Sequence, residues 1–223
     1  DAGLTPVVDL CHFGLPDHYR GFCDRSWVHG FNRYVEAFLA RYPEPHWFTP
    51  VNEPGITAVM SALLGAWNDT RASELDYVTA LANVTLANLE AMSRICSDRD
   101  GWWIGAEGFG CSLVDDDDDE ALVEALHTQA LQQLVWDLHF GVDPPDQVSD
   151  LVGHIDDAVR ARIGELAAGL PVDRVVAGHD LYPLSIVAYG RRSRRPITIA
   201  DRVAAYEATA KDWHERYRRP FWV

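Results

Sequence analysis

The sequence contains no run of about eighteen apolar residues, so no transmembrane helix is expected, and its first residues form no basic-then-apolar secretion signal. Basic residues are scarce. Nineteen Lys and Arg stand against thirty-four Asp and Glu, a formal charge of −15, which disfavours nucleic acid and anionic membrane surfaces as partners. Cysteine is limited to Cys11, Cys23, Cys96 and Cys111, with neither a CxxC pair nor metal-ligand spacing. Free thiols in a reducing, cytoplasmic compartment are therefore expected, with no metal site and no organic cofactor. No glycine-rich phosphate fingerprint follows any strand-like run, which argues against a dinucleotide-binding fold. The triplets Asn68-Asp69-Thr70 and Asn83-Val84-Thr85 have the form of glycosylation sequons, but such triplets are common by chance.

What is present is an alternation of strand-like and helix-like segments. Pro6 to His12 is a short β-branched, apolar run ended by Gly14 and Pro16. Trp27, Phe31, Tyr34, Val35, Phe38 and Leu39 then recur at helical spacing, and Pro43 ends that helix. His46 to Asn52 reads as the next strand, followed by a loop carrying Gly55 and Gly65 and a long helix from about Leu75 to Cys96. Further strands are expected at Gly101–Gly108, Arg174–Pro183 and Pro220–Val223, and helices at Glu120–Phe140, Ser149–Leu166 and Thr198–Tyr217. The last of these opens on a capping-box-like Thr198-Ile199-Ala200-Asp201. The run Asp115 to Asp119 lacks the alternating spacing of a calcium loop and suits the positive end of the following helix.

Strands alternating with helices imply parallel βαβ units, and polar residues gathered repeatedly at strand C-termini favour an α/β barrel over a doubly wound sheet. At 223 residues the chain reads as a single domain, 1–223, somewhat short of the roughly 250 residues of a complete (β/α)8 TIM barrel. An incomplete barrel of about five strands out of the usual eight is expected.

The strand end with most chemistry in it is His46-Trp47-Phe48-Thr49-Pro50-Val51-Asn52-Glu53-Pro54. A glutamate delivered by a strand and stopped by proline stands in a cleft, where a general acid for glycoside cleavage is needed. Two other strand ends join it: Leu10-Cys11-His12-Phe13-Gly14-Leu15-Pro16 and Asp180-Leu181-Tyr182. In order and spacing the three resemble the third, fourth and sixth strand ends of family 1 glycoside hydrolases, the β-glucosidase family, and the resemblance covers essentially the whole chain.

That resemblance implies a retaining β-glycosidase acting on small β-glycosides. Glu53 matches the acid/base, Asn52 the residue at the sugar 2-hydroxyl, His12 a glycone ligand and Tyr182 the tyrosine that contacts the nucleophile. Trp67, in the loop after Glu53, is the favoured aromatic platform for a sugar, whereas Trp47, Trp102 and Trp103 read as core and Glu107 as structural or a loop contact. The chain also departs from the family. Asp180 replaces an asparagine and Phe13 a tryptophan, and the sequence stops at Phe221-Trp222-Val223, where the approach to the nucleophile's T-E-N-G motif is expected. The expectation is a piece that lacks the nucleophile and is inactive in isolation. The alternative is a non-catalytic barrel segment that binds carbohydrate or a partner, and open barrel edges favour self-association. A different retaining barrel hydrolase of the same broad clan is a third reading, against which the His12 and Tyr182 motifs argue.

Overall fold

The computed structural model describes residues 3–223 apart from Phe109, Asp116, Pro183 and Leu184. Its elements run β1 (Val7–Asp9), α1 (Ser26–Arg41), β2 (Trp47–Thr49), α2 (Pro54–Ala58), α3 (Glu74–Arg99), β3 (Trp102–Ile104), β4 (Glu107–Gly108) and β5 (Cys111–Leu113), then α4 (Asp119–Phe140), α5 (Ser149–Val152), α6 (Asp157–Gly169), β6 (Val175–Asp180), β7 (Ile186–Ala188), α7 (Ile199–Tyr217) and β8 (Phe221–Trp222).

Every strand pair is parallel, as βαβ crossovers require. β1 pairs with β2, β2 with β3, and β6 with β3, β4 and β8. β3 and β4 keep one register on β6, Trp103 opposite Val175 and Glu107 opposite His179, so they are two halves of one strand interrupted at Gly105-Ala106. Counted this way, the described sheet has five barrel positions.

The curvature of that sheet is visible in three tryptophans. Trp47 on β2 and Trp222 on β8 have ring centroids 5.7 Å apart, and Trp47 stacks on Trp102 at 5.6 Å. In a flat sheet, three strand spacings would hold β2 and β8 about 14 Å apart. The strands therefore curl, and these side chains converge inside the curl as they do in a (β/α) barrel. The architecture is an incomplete TIM barrel.

Helices cover the outer face. α3 is buried along most of its length, from Tyr77 to Cys96, because it packs against α1, α2 and α6 as well as β3. Its start is fixed by Ser73, whose hydroxyl accepts the Asp76 N–H at 3.0 Å. α7 opens on the expected capping box: Thr198 and Asp201 each bond the other's backbone N–H, at 3.2 and 2.8 Å. Asp118 caps α4, as an acidic run at a helix start should, and Arg191 and Arg195 add ion pairs to Asp117, Asp118 and Asp115. Asp116 of that run lies outside the described residues, as does Pro183 of the expected fourth strand.

Three local readings change. The stretch after Glu53, expected as a loop, forms α2 and a π-helical turn, Val59–Leu63. The helix expected at Ser149–Leu166 is split into α5 and α6, with Asp156 capping α6 through the N–H groups of Ala158 and Val159. A small parallel sheet of β5 and β7, Cys111 opposite Ile186, joins the loops that follow β4 and β6. The four cysteines are free thiols, and no helix among the described residues is long and apolar enough to cross a membrane. Asn83 is buried in α3, donating to the Phe22 carbonyl at 2.9 Å, and Asn68 donates to the Phe13 carbonyl at 2.9 Å.

Candidate active site

Glu53 follows β2 by four residues, and the sheet still holds the backbone there. The Asn52 N–H donates to the Cys11 carbonyl at 2.9 Å and the Glu53 N–H to the Ala106 carbonyl at 2.7 Å, tying β2's exit to the strands on both sides. Thr49 adds a hydroxyl bond to the Ile104 carbonyl at 2.6 Å. Pro54 is the first residue of α2, where its missing N–H costs nothing. Between strand and helix Glu53 adopts φ 41°, ψ 62°, a left-handed conformation that a non-glycine residue occupies only when its surroundings enforce it.

Glu107 supplies much of that enforcement. Its buried carboxyl group accepts the N–H groups of Gly55 at 2.6 Å, Ile56 at 3.2 Å and Gly108 at 3.0 Å. The first two are the otherwise unsatisfied donors of α2's first turn. Expected as structural or a loop contact, Glu107 is thus the anchor of the turn that presents Glu53. A second buried chain braces the strand from below. Asn88 accepts the Val51 N–H at 3.2 Å and donates to His139 Nε2 at 2.9 Å, while His139 Nδ1–H donates to the Val135 carbonyl at 2.6 Å.

The electrostatics favour a protonated Glu53. It is 6% exposed, and burial, followed by the negative charge of Asp180, raises its pKa from 4.5 to about 7, with His12 opposing. Asp180, at the end of β6, stands near enough to add to that rise, and its own pKa is raised by burial. Burial also pushes Glu107 up to about 8 against its three N–H bonds, and Glu53 adds to the rise. A carboxylic acid that keeps its proton near neutral pH is what a proton donor requires.

Glu53 opens onto a cavity of about 800 Å³ lined by Ile56, Val59, Met60, Trp67, Tyr77, Leu131, Gln132, Tyr182 and Val187, among others. Its walls are largely apolar, with carboxyls at one end. Of the residues singled out from sequence, Glu53, Trp67 and Tyr182 meet there. Trp67 is held by Phe13, ring centroids 4.8 Å apart, and Tyr182 is 55% exposed at the cavity's edge, with its N–H on Ser185 Oγ at 3.2 Å.

The chain matches solved β-glucosidase structures over 99% of its length. The fold is an incomplete TIM barrel similar to theirs. Family 1 β-glucosidase from Thermotoga maritima, in complex with isofagomine lactam, superposes with TM-score 0.78 at 17% identity, and the match covers 53% of that chain. The same enzyme without a named ligand gives 0.77 at 17%, again over 53% of its chain. Its complex with deoxynojirimycin gives 0.76 at 17%, over 52%. The chain thus spans about half the length of these structures. No family model matches the sequence, and no curated protein matches it at a significant level.

In this barrel frame the remaining sequence-derived residues take different places. Asn52 is buried directly beside Glu53, its carbonyl accepting the Thr57 hydroxyl at 3.3 Å. His12 lines a separate groove of about 450 Å³ with Tyr19, Trp27 and Tyr34. It is exposed and bonded through Nδ1 to Asp9 at 2.6 Å, yet its charge reaches both Glu53 and Asp180. Trp47 and Trp102 sit half-buried inside the curl and Trp103 is fully buried. Asp180 was legible only as an exchange for asparagine. Its approach to Glu53 joins residues far apart in the chain and needs the curled sheet to appear. Among the described residues no cluster of side chains suits a metal ion.

Proposed function

We propose that this chain is the acid/base half of a retaining β-glycosidase of family 1 type, with Glu53 as the proton donor to the leaving glycosidic oxygen. The observation that carries the reading is Glu53 itself. It is a buried carboxyl at a barrel strand's C-terminal end, held in left-handed backbone by Glu107, its pKa raised by burial to about 7, at the mouth of a cavity that also presents Trp67 and Tyr182. Catalytic groups of barrel enzymes stand at that end of the strands.

In this reading Glu53 protonates the leaving oxygen as the glycosidic bond breaks, then takes a proton from the water that releases the sugar. Asn52 and His12 bind the glycone, Trp67 offers a stacking face, and Tyr182 stands towards the nucleophile. Neither neighbouring carboxyl suits the nucleophile's role. Asp180 stands where the resembled family has an asparagine, and Glu107 is occupied by backbone N–H groups. The nucleophile is assigned to sequence outside these 223 residues, and a cytoplasmic setting fits the four free thiols.

The experiment is an aryl-glycoside panel on the whole protein. Turnover of simple β-monosaccharide aryl glycosides with retained anomeric configuration supports the proposal; inverted product, or no turnover across the panel, counts against it.

A further inference from the structure

Glu53 and Asp180 leave different strands, and a third lies between them. Glu53 exits β2 and is bonded to the Ala106 carbonyl on the central strand, whose next segment, β4, pairs with β6 so that Gly108 is opposite Asp180. For Glu53 to reach Asp180 its carboxyl must pass over Gly108. A Cβ there would stand 3.6 Å from Glu53 Oε1 and only 2.6 Å from Ile56 Cγ1. The Glu53 carboxyl therefore lies over Gly108, the residue paired with Asp180, where the two carboxyls can approach each other.

We propose that Asp180 is the proton partner of Glu53: its carboxylate accepts the hydrogen bond of the protonated Glu53 carboxyl and holds the acid loaded and oriented until a substrate's bridging oxygen replaces it as acceptor. This rests on the reading of Glu53 as the acid. Asp180 is a positioning residue, acting through Glu53. The proton passes from Glu53 to the leaving oxygen as the bond between the anomeric carbon and that oxygen breaks. Glu53 is then a carboxylate beside a second carboxylate. Two such charges close together repel, which makes Glu53 a stronger base for the water whose oxygen next bonds the anomeric carbon as the bond from that carbon to the nucleophile carboxylate breaks, and whose proton returns to Glu53. An asparagine at position 180 could accept the same hydrogen bond through its Oδ1 but would carry no charge, so it would neither raise the affinity of Glu53 for its proton nor make the deprotonated Glu53 a stronger base.

Four ionisable groups face Glu53 from the surrounding elements: Asp180 at the end of β6, Glu107 in β4, His12 after β1 and Tyr182 after β6. His12, itself bonded to Asp9, opposes the carboxylates. Burial is the largest cause of Glu53's raised pKa and Asp180 the second, so removing Asp180 lowers the midpoint without restoring that of a free glutamate.

The test is a carboxyl titration by carbon NMR on glutamate-labelled protein, with the Glu53 resonance assigned by Glu53→Gln, in the unaltered chain and in Asp180→Asn. The expected result is a midpoint near 7 that falls by about one pH unit in Asp180→Asn. Should Asp180→Asn fail to fold, Asp180→Ser takes its place. A Glu53 midpoint that stays put in a folded Asp180 variant overturns the proposal. Because the titration needs no turnover, a downward shift in a protein inactive on every glycoside sustains the proton pair and sinks only the glycosidase reading. In an active whole protein, the alkaline limb of kcat/KM should move down with the NMR midpoint.

Discussion

Gly178 in β6 faces Gly105, between β3 and β4, so closely that a Cβ on Gly178 would overlap the Gly105 carbonyl oxygen. Backbone stands against backbone, and no side chain can move aside. The contact lies two residues before Asp180 and one before Ala106, so the same close approach brings the two site-bearing strand ends together.

Gly178→Ala should therefore cost about 3 kcal/mol or more, or abolish folding, since overpacking against backbone cannot relax by a rotamer change. Gly164→Ala is the matched control, because nothing lies within 4 Å of its added methyl group in α6, and it should gain about 0.4–1 kcal/mol. Chemical denaturation of both variants checks the contrast; equal midpoints would contradict the close approach.

Glu107→Gln keeps the shape of the side chain but turns an NH2 group towards N–H donors. The expected loss is about 1–3 kcal/mol, with Glu53 less firmly presented. Thermal melting reads the first effect, and a change in the Glu53 carboxyl resonance reads the second. A variant as stable as the parent would remove Glu107 as the anchor of α2.

The pH dependence of stability follows from four buried groups. Glu53 and Glu107 are raised from 4.5 to about 7 and about 8, so the folded state binds their protons more tightly than the unfolded chain. Their contribution is full below pH 4.5 and is lost as pH rises through these values. His139 and His179 are lowered by burial from 6.5 to about 4, so their contribution is full above 6.5 and is lost on acidification. Above pH 6.5 the two carboxyls act without that opposition. The melting temperature should fall between about pH 6.5 and 8, and Glu107→Gln should flatten the fall. A rise over that range would show the carboxyl assignments to be wrong.

Among the described residues β1 pairs only with β2 and β8 only with β6, leaving an unpaired edge on each. Val7 on β1 is 44% exposed and Trp222 on β8 is 48% exposed. Unpaired strand edges with exposed apolar side chains recruit other strands, so the isolated 223-residue chain is predicted to self-associate. Sedimentation at rising concentration should show growing species, diminished by Trp222→Lys. A monomer at all concentrations would contradict this.

The sequence reveals most of the scaffold because each long helix and each of the five strands carries its own local pattern: heptad-like spacing in α1, a capping box at α7, polar strand ends at His12, Asn52 and Asp180. What escapes it depends on distant contacts. Pro54 looks like a stop but begins α2, because Glu107 arrives from another strand to satisfy the helix's first N–H groups. The pairing of β5 with β7 links two loops too short to show periodicity. The same limit applies to Asp180, whose charge reaches Glu53 from another strand.

The central claim is that Glu53 is the general acid, and the most direct measurement is the leaving-group dependence of Glu53→Gln in the whole protein. Loss of acid assistance should slow glycosides of poor leaving groups by about 10²- to 10⁴-fold. A dinitrophenyl glycoside, whose leaving group departs without a proton, should keep a rapid first step. An equal loss across all leaving groups, or no loss at all, would contradict the account.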